Sequence, residues 1–274
     1  VDGIGNDARL SYPVGIVVSN NGYIYITEES GKVKKIDSNF QVETIYDQGV
    51  FLRGIDISNN SEELFVVDNG RKVIIKINTT DNSYEIYAGQ INNEETLDGD
   101  LLSAKFTSPN GIAIDHTNQI IYVSEQDGQT VRKLENGYVS TLAGKERQTG
   151  STNGNGTNAR FNYPYDLAVD SVGNLFVADT DNFVIRKITK EGEVSNFAGS
   201  VLNRGSQNGS LTSARFAKPT GLAIDENDNI YVAEWEVHTI RKIDSGVTEY
   251  NYEEIFRGST QHTVTEGRGI SFAY

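Results

Sequence analysis

The chain of 274 residues has no cysteine and no methionine, four prolines, three histidines and one tryptophan. Each shortage excludes something. Without cysteine there are no disulfides, no thiol nucleophiles and no thiolate metal sites. Three histidines leave little for a histidine metal cluster or an acid–base relay. No apolar run approaches the length of a membrane-spanning helix, so membrane insertion is not expected. No basic segment followed by an apolar one opens the chain, so no signal peptide is expected, and a start at Val1 points to a processed chain or a piece of a longer one. Net charge is −14, which disfavours nucleic acid and anionic membrane surfaces as partners.

What is present is repetition. Pro13, Pro109, Pro164 and Pro219 each stand two residues before a Gly or Asp in an apolar run: "PVGIVV", "PNGIAI", "PYDLAV" and "PTGLAI". The last two proline intervals are both 55 residues, and the longer first interval holds one more unit, "FLRGIDI", with Leu52 at the proline position. Every unit continues alike. A turn leads to a second run: "YIYITE", "LFVVD", "IYVSE", "LFVAD" and "IYVAE". A third run follows as "VKKID", "IIKIN", "VRKLE", "IRKIT" and "IRKID", and a fourth closes the unit. The runs are short, rich in β-branched and aromatic residues, and separated by Gly, Asn and Asp, which is strand and turn chemistry. No segment sustains a helical period. Four short strands per 40 to 55 residues indicate a β-propeller, because one small sheet cannot cover both its faces and neighbouring blades do so. The blades expected are 1–49, 50–90, 91–145, 146–200 and 201–259, with the start of a sixth at 260–274.

The phrases "PYDLAVDSVGNLFVAD" and "NFVIRK" resemble the NHL repeat, most closely in blades three to five. The joining segment "NGNGTNARFNYP", which recurs as "NGSLTSARFAKP" and "GIGNDARLSYP", is similar to the spacer of secreted and bacterial NHL arrays. The resemblance implies an all-β, NHL-type β-propeller: five complete four-stranded blades plus the start of a sixth. Such proteins usually have six blades. A short sixth unit implies further chain in cis, or a protein partner or second copy supplying strands in trans. The usual Asn-His pair before the third strand is Asn182-Phe183 in blade four and Val237-His238 in blade five, and blade two has lost its Pro.

Candidate site residues follow from the repeat. The position after each Pro varies while its neighbours recur: Val14, Arg53, Asn110, Tyr165, Thr220 and Arg268. If first strands line a channel, these stand at its mouth as ligand-binding candidates, and the two arginines could receive an anionic group. A second recurring set is Glu28, Asp68, Glu125, Asp179 and Glu234, each ending a second strand. These read either as cation sites or as structural caps taking backbone N–H groups in the following turn, and recurrence in every blade favours caps. His116, His238 and His262 occupy unrelated repeat positions and do not converge. "DENDNIYVAEWE" at 225–236 places acids and amides like a calcium loop, but Ile230 stands where Gly is needed, so it reads as a hairpin turn. No catalytic residue or cofactor is assigned, and calcium is the one ion left open. Sequons at Asn59, Asn78, Asn155 and Asn208 fall in turns or spacers and suit an extracellular or cell-surface glycoprotein. The function expected is a non-enzymatic extracellular scaffold or interaction module, with self-assembly into a fibre or surface layer as one form of it. The alternatives are a metal-dependent hydrolase or lyase, as in related six-bladed proteins, and a glycan-binding module.

Overall fold

The structure, a computed structural model, describes residues 1–93 and 95–245 and the backbone of a strand at 252–257. The expected start of a sixth blade at 260–274, with Arg268 and His262, lies outside the described residues. Five antiparallel sheets follow one another along the chain, each with four strands in simple sequence order. Blade one is Pro13–Val18, Ile24–Glu28, Lys32–Ile36 and Gln41–Tyr46. Blade two is Leu52–Ile57, Glu63–Asp68, Val73–Asn78 and Tyr84–Ala88. Blade three is Pro109–Asp115, Ile120–Glu125, Thr130–Glu135 and Tyr138–Gly144. Blade four is Pro164–Val169, Leu175–Asp179, Val184–Ile188 and Glu193–Gly199. Blade five is Pro219–Ile224, Ile230–Glu234, Thr239–Ile243 and Tyr252–Arg257.

Blades one, three and four carry a fifth strand of two residues, Gly3–Ile4, Gly99–Asp100 and Gly154–Asn155, drawn from the spacer and paired to the fourth strand. The spacer of blade two is too short to do this, and its fourth strand keeps an open edge. The difference shows in the side chains: Val42, Val139 and Val194 are buried beneath the added strands, whereas Tyr84 at the equivalent register is 53% exposed.

Two irregularities recur. Register shifts just after the first residue of the first strand, between Pro13 and Ile16, Leu52 and Ile55, Pro164 and Leu167, and Pro219 and Gly221. It shifts again between the third and fourth strands, where the fourth carries one extra residue opposite Val33 and Lys34, Ile74 and Ile75, Ile185 and Arg186, and Ile240 and Arg241. A bulge re-aims the side chain beside it, and the second bulge falls beside the positions that become important below.

The backbone groups into two compact units. One contains Val1–Val123 and Lys133–Ser140; the other contains Ser124–Arg132 and the described residues from Thr141 onward. In the first unit, the facing sheets of blades one and two bury Tyr25, Val33, Leu52, Leu64, Val66 and Ile75. Blade two and the first-unit part of blade three enclose Phe65, Val67, Ile74, Phe106, Ile112 and Val123. In the second unit, blades four and five bury Phe176, Ile185, Phe216, Leu222, Val232 and Ile243.

Within each unit, hydrogen bonds beside the ends of second strands reach the first strand of the blade that follows. Thr27 Oγ1 donates to the Arg53 carbonyl at 2.6 Å and Asn69 Nδ2 to the Pro109 carbonyl at 2.8 Å. Ser124 Oγ donates to the Tyr165 carbonyl at 2.6 Å and Thr180 Oγ1 to the Pro219 carbonyl at 2.7 Å. First strands approach closely at these levels. A Cβ on Gly54 would stand 2.8 Å from the Asn110 carbonyl oxygen and 2.9 Å from the Ile112 nitrogen. Both obstacles are backbone, so neither can rotate away. Gly54→Ala should therefore cost about 2 kcal/mol through forced overpacking, read as a lowered urea midpoint with an unchanged slope.

Candidate functional site

The blade ends where second strands finish and first strands begin hold most of the charged, buried chemistry. Each second strand ends in a buried carboxylate: Glu28, Asp68, Glu125, Asp179 and Glu234. Four of them accept the N–H of the residue two before the first strand of their own blade. The pairs are Ser11 to Glu28 at 2.7 Å, Val50 to Asp68 at 3.1 Å, Asn162 to Asp179 at 2.7 Å and Ala217 to Glu234 at 2.6 Å. The expected backbone cap from the following turn is made at Asp68, by the Arg71 N–H at 2.9 Å, and at Glu28 a side-chain hydroxyl bonds instead, Ser30 Oγ at 3.1 Å. The repeated donor, however, is the segment leading into the blade.

The third strand completes the arrangement. Arg132 meets Glu125 at 3.1 Å, Arg186 meets Asp179 at 2.8 Å and Arg241 meets Glu234 at 3.3 Å, all with side chains almost wholly buried. Other terminal guanidinium N–H groups fasten the spacer. Arg186 donates to the Arg160 carbonyl at 2.9 Å and to Asn153 Oδ1 at 2.7 Å, and Arg241 donates to the carbonyls of Arg215 at 2.7 Å and Gln207 at 2.9 Å. Phe161 and Phe216, from the "ARF" of the spacers, lie 5.3 and 5.0 Å from these guanidinium groups. Burial pushes the Asp179 carboxyl up to about 6 against the pull of Arg186, Asn182 and the Asn162 N–H. In blade one Lys34 takes the arginine position and reaches Asp2 of its spacer at 2.7 Å, and this bond holds Asp2 down at about 2. In blade two the position is Ile75, matching the missing spacer strand. Sequence reading placed the acids and missed these arginines, whose signal was their recurrence in "VRK", "IRK" and "IRK" alongside "ARF". Among the described residues no cluster of His, Asp and Glu is arranged to hold a metal ion.

The residues after the Pro position are dispersed in character. Asn110 and Thr220 are buried, at 2% and 6% exposure. Arg53 is held by Glu29 at 2.8 Å and lies 4.1 Å from the Phe51 ring, so its charge is already matched. Val14 is buried and Tyr165 partly exposed. In blades one, two and four the residue before the strand is the exposed one; Lys218 in blade five is partly exposed and Ser108 in blade three is buried. Tyr12, Phe51, Tyr163 and Lys218 all have positive φ, at 50°, 63°, 57° and 56°. Their carbonyls accept the N–H that follows each terminal acid, from Glu29, Asn69, Thr180 and Trp235. Sequence reading missed them because the Pro drew attention to the residue after it.

His116 and His238 are both exposed, on separate turns. The 225–236 segment is a hairpin turn: Asp225 Oδ1 accepts the N–H groups of Asn227 and Asn229, both at 2.9 Å, and the strand begins at Ile230. Asn59 and Asn208 are exposed, Asn155 is exposed on its short spacer strand, and Asn78 Oδ1 closes its own turn by accepting the Thr80 N–H at 2.8 Å. Between blades two and three, Asp56 accepts the N–H groups of Ile57 and Ile114, both at 2.8 Å. Burial raises its carboxyl to about 6, opposed by those N–H groups and by His116.

Bulged four-stranded blades stapled in series, with capped carboxylates at the strand ends, define a β-propeller. The teneurin NHL domain model matches residues 54–203, over half of the chain, and the NHL repeat model matches 216–243. The chain belongs to the NHL-repeat family, in the form described by the teneurin NHL domain. Human NHL repeat-containing protein 2 is 26% identical over 97% of the chain and 43% of its own length. Human teneurin-4 is 26% identical over 69% of the chain and 8% of its own length. The chain thus spans less than half of these relatives. Virginiamycin B lyase from Staphylococcus aureus superposes with a TM-score of 0.62 at 19% identity, over 89% of the chain and 70% of that structure, a likeness of fold alone.

Two outcomes test this site. Arg186→Met strands the Asp179 carboxylate in the interior and should cost about 3–5 kcal/mol, while the double variant Asp179→Asn/Arg186→Met should recover part of the loss in chemical denaturation. For Asp56 the folded value of about 6 lies above the ordinary 3.8. Its protonated form therefore favours the fold, a contribution complete below pH 3.8 and lost as pH rises through 6. Asp56→Asn should remove that part of the pH dependence, measured as stability at pH 4, 5, 6 and 7.

Proposed function

We propose that the chain is a non-enzymatic interaction and scaffold module acting outside the cell or at its surface. The observation that carries this reading is the fate of the ionisable groups at the blade ends. The recurring carboxylates are consumed by backbone N–H groups and buried guanidinium groups, so they hold the frame together rather than face a substrate. Exposed aromatic rings stand before the first strands at Tyr12, Phe51 and Tyr163 on a regular frame, and such positions are how a repeat scaffold presents a partner-specific surface. Likeness to NHL repeat-containing protein 2 and the teneurins supports a role in protein contact, and the sequons at Asn59, Asn155 and Asn208 support the extracellular placement. Self-association is the form of partnership we favour.

The test is the native material itself, by intact mass with and without glycosidase and by light scattering. Occupied sequons and a concentration-dependent assembly are the expected result. An unglycosylated species that stays monomeric at high concentration would overturn the reading.

A further inference from the structure

We propose that the rim shared by blades four and five binds a neutral oligosaccharide, with Tyr163 and Trp235 as ring platforms. Both belong to the second compact unit. Trp235 directly follows the capped Glu234 and is 47% exposed; Tyr163 precedes the first strand of blade four and is 37% exposed. Lys218 and Asp181 link the two blades. The Lys218 ammonium stands 5.7 Å from the Trp235 ring centroid and 3.4 Å from Asp181 Oδ1. Backbone bonds fix the neighbours: Asp181 N–H to the Asn162 carbonyl at 3.0 Å, Thr180 N–H to the Tyr163 carbonyl at 3.3 Å and Trp235 N–H to the Lys218 carbonyl at 3.1 Å.

The frame explains the backbone here but not the side chains. The left-handed conformation is needed to present a carbonyl, and glycine or asparagine would adopt it with less strain. Placing tyrosine and lysine there, at φ of 57° and 56°, sets large side chains outward at a conformational cost, a pattern associated with ligand sites. Exposing the tryptophan beside them gains nothing for the core.

The charges identify the ligand class. Lys218 is matched by Asp181, and Arg204 by Glu236 at 2.6 Å. In a chain of net charge −14 this patch is locally neutral. An anionic ligand would meet Asp181 and Glu236, and a cationic one Lys218 and Arg204. A pyranose offers flat C–H faces for aromatic rings and uncharged hydroxyls for the spare donors and acceptors of the matched pairs. Few polar groups set among aromatic surfaces are the usual composition of a small-ligand site.

Trp235 is the sole tryptophan, so its emission reports directly on the site. The 274-residue chain is titrated with maltohexaose, cellohexaose and chitohexaose, and with hexagalacturonate as an anionic control. The expected result is a saturable emission change with at least one neutral hexasaccharide, with Kd on the order of 0.1–1 mM and little dependence on salt. Calorimetry should show at least tenfold weaker binding for Tyr163→Ala and for Trp235→Ala, and near-parental binding for Tyr163→Phe. The proposal is overturned by silence with all three neutral sugars at about 10 mM, by a response to the anionic sugar alone, by parental binding in Tyr163→Ala, or by a response only to a protein partner.

Discussion

The buried pairing of a third-strand arginine with a second-strand carboxylate is the constraint on which blades three to five depend. Moving two charges into the interior is expensive, and an ion pair alone seldom recovers that cost. Here the pair does not stand alone. In blade four the Asp179 carboxylate also takes the Asn162 N–H and Asn182 Nδ2, and Arg186 also satisfies carbonyls of the spacer. The terminal guanidinium nitrogens and the carboxylate have geometrically fixed partners, while Arg186 Nε is buried without one, so the network is nearly but not wholly satisfied. The gain is in specificity. A spacer with few apolar residues is fastened to its blade by the arginine, in blade four alongside the short strand Gly154–Asn155, just ahead of where the first strand begins.

Blades one and two show what happens when the arginine is absent. Lys34 keeps a cation and keeps its spacer, through Asp2. Ile75 keeps neither, and blade two lacks both the spacer strand and the buried valine beneath it. In blades one to four the cation, the spacer and the covered edge therefore vary together, while blade five has the cation and the spacer on a four-stranded sheet. The acids do not vary with them, because their second task, holding the lead-in segment, persists in blade two through the Val50 N–H on Asp68.

The strands were legible in the sequence because proline marks the start of the first, and Gly, Asn and Asp punctuate the rest. The terminal acids were legible as structural for the same reason, their recurrence. The arginines were not, because alternation along "VIRKI" puts Arg186 on the same face as the buried Val184 and Ile188, where an apolar residue is expected, and its spacer partners lie far away in sequence. The variable positions were read one bulge out of place. Asn110 and Thr220 follow the proline but are buried, whereas Tyr12, Phe51 and Tyr163 precede the strand and are exposed. Arg53, expected to receive an anion, already has Glu29.

The central claim is that carboxylate caps hold the lead-in segments as firmly as strands. Residue-resolved amide hydrogen exchange tests it most directly. The N–H groups of Ser11, Val50, Asn162 and Ala217 lie outside regular strands yet bond to buried acids. The account predicts that they exchange as slowly as the strand amides of their own blades, opening only with the blade. Exchange at the rate of exposed turns such as the one at Asn59 would contradict it.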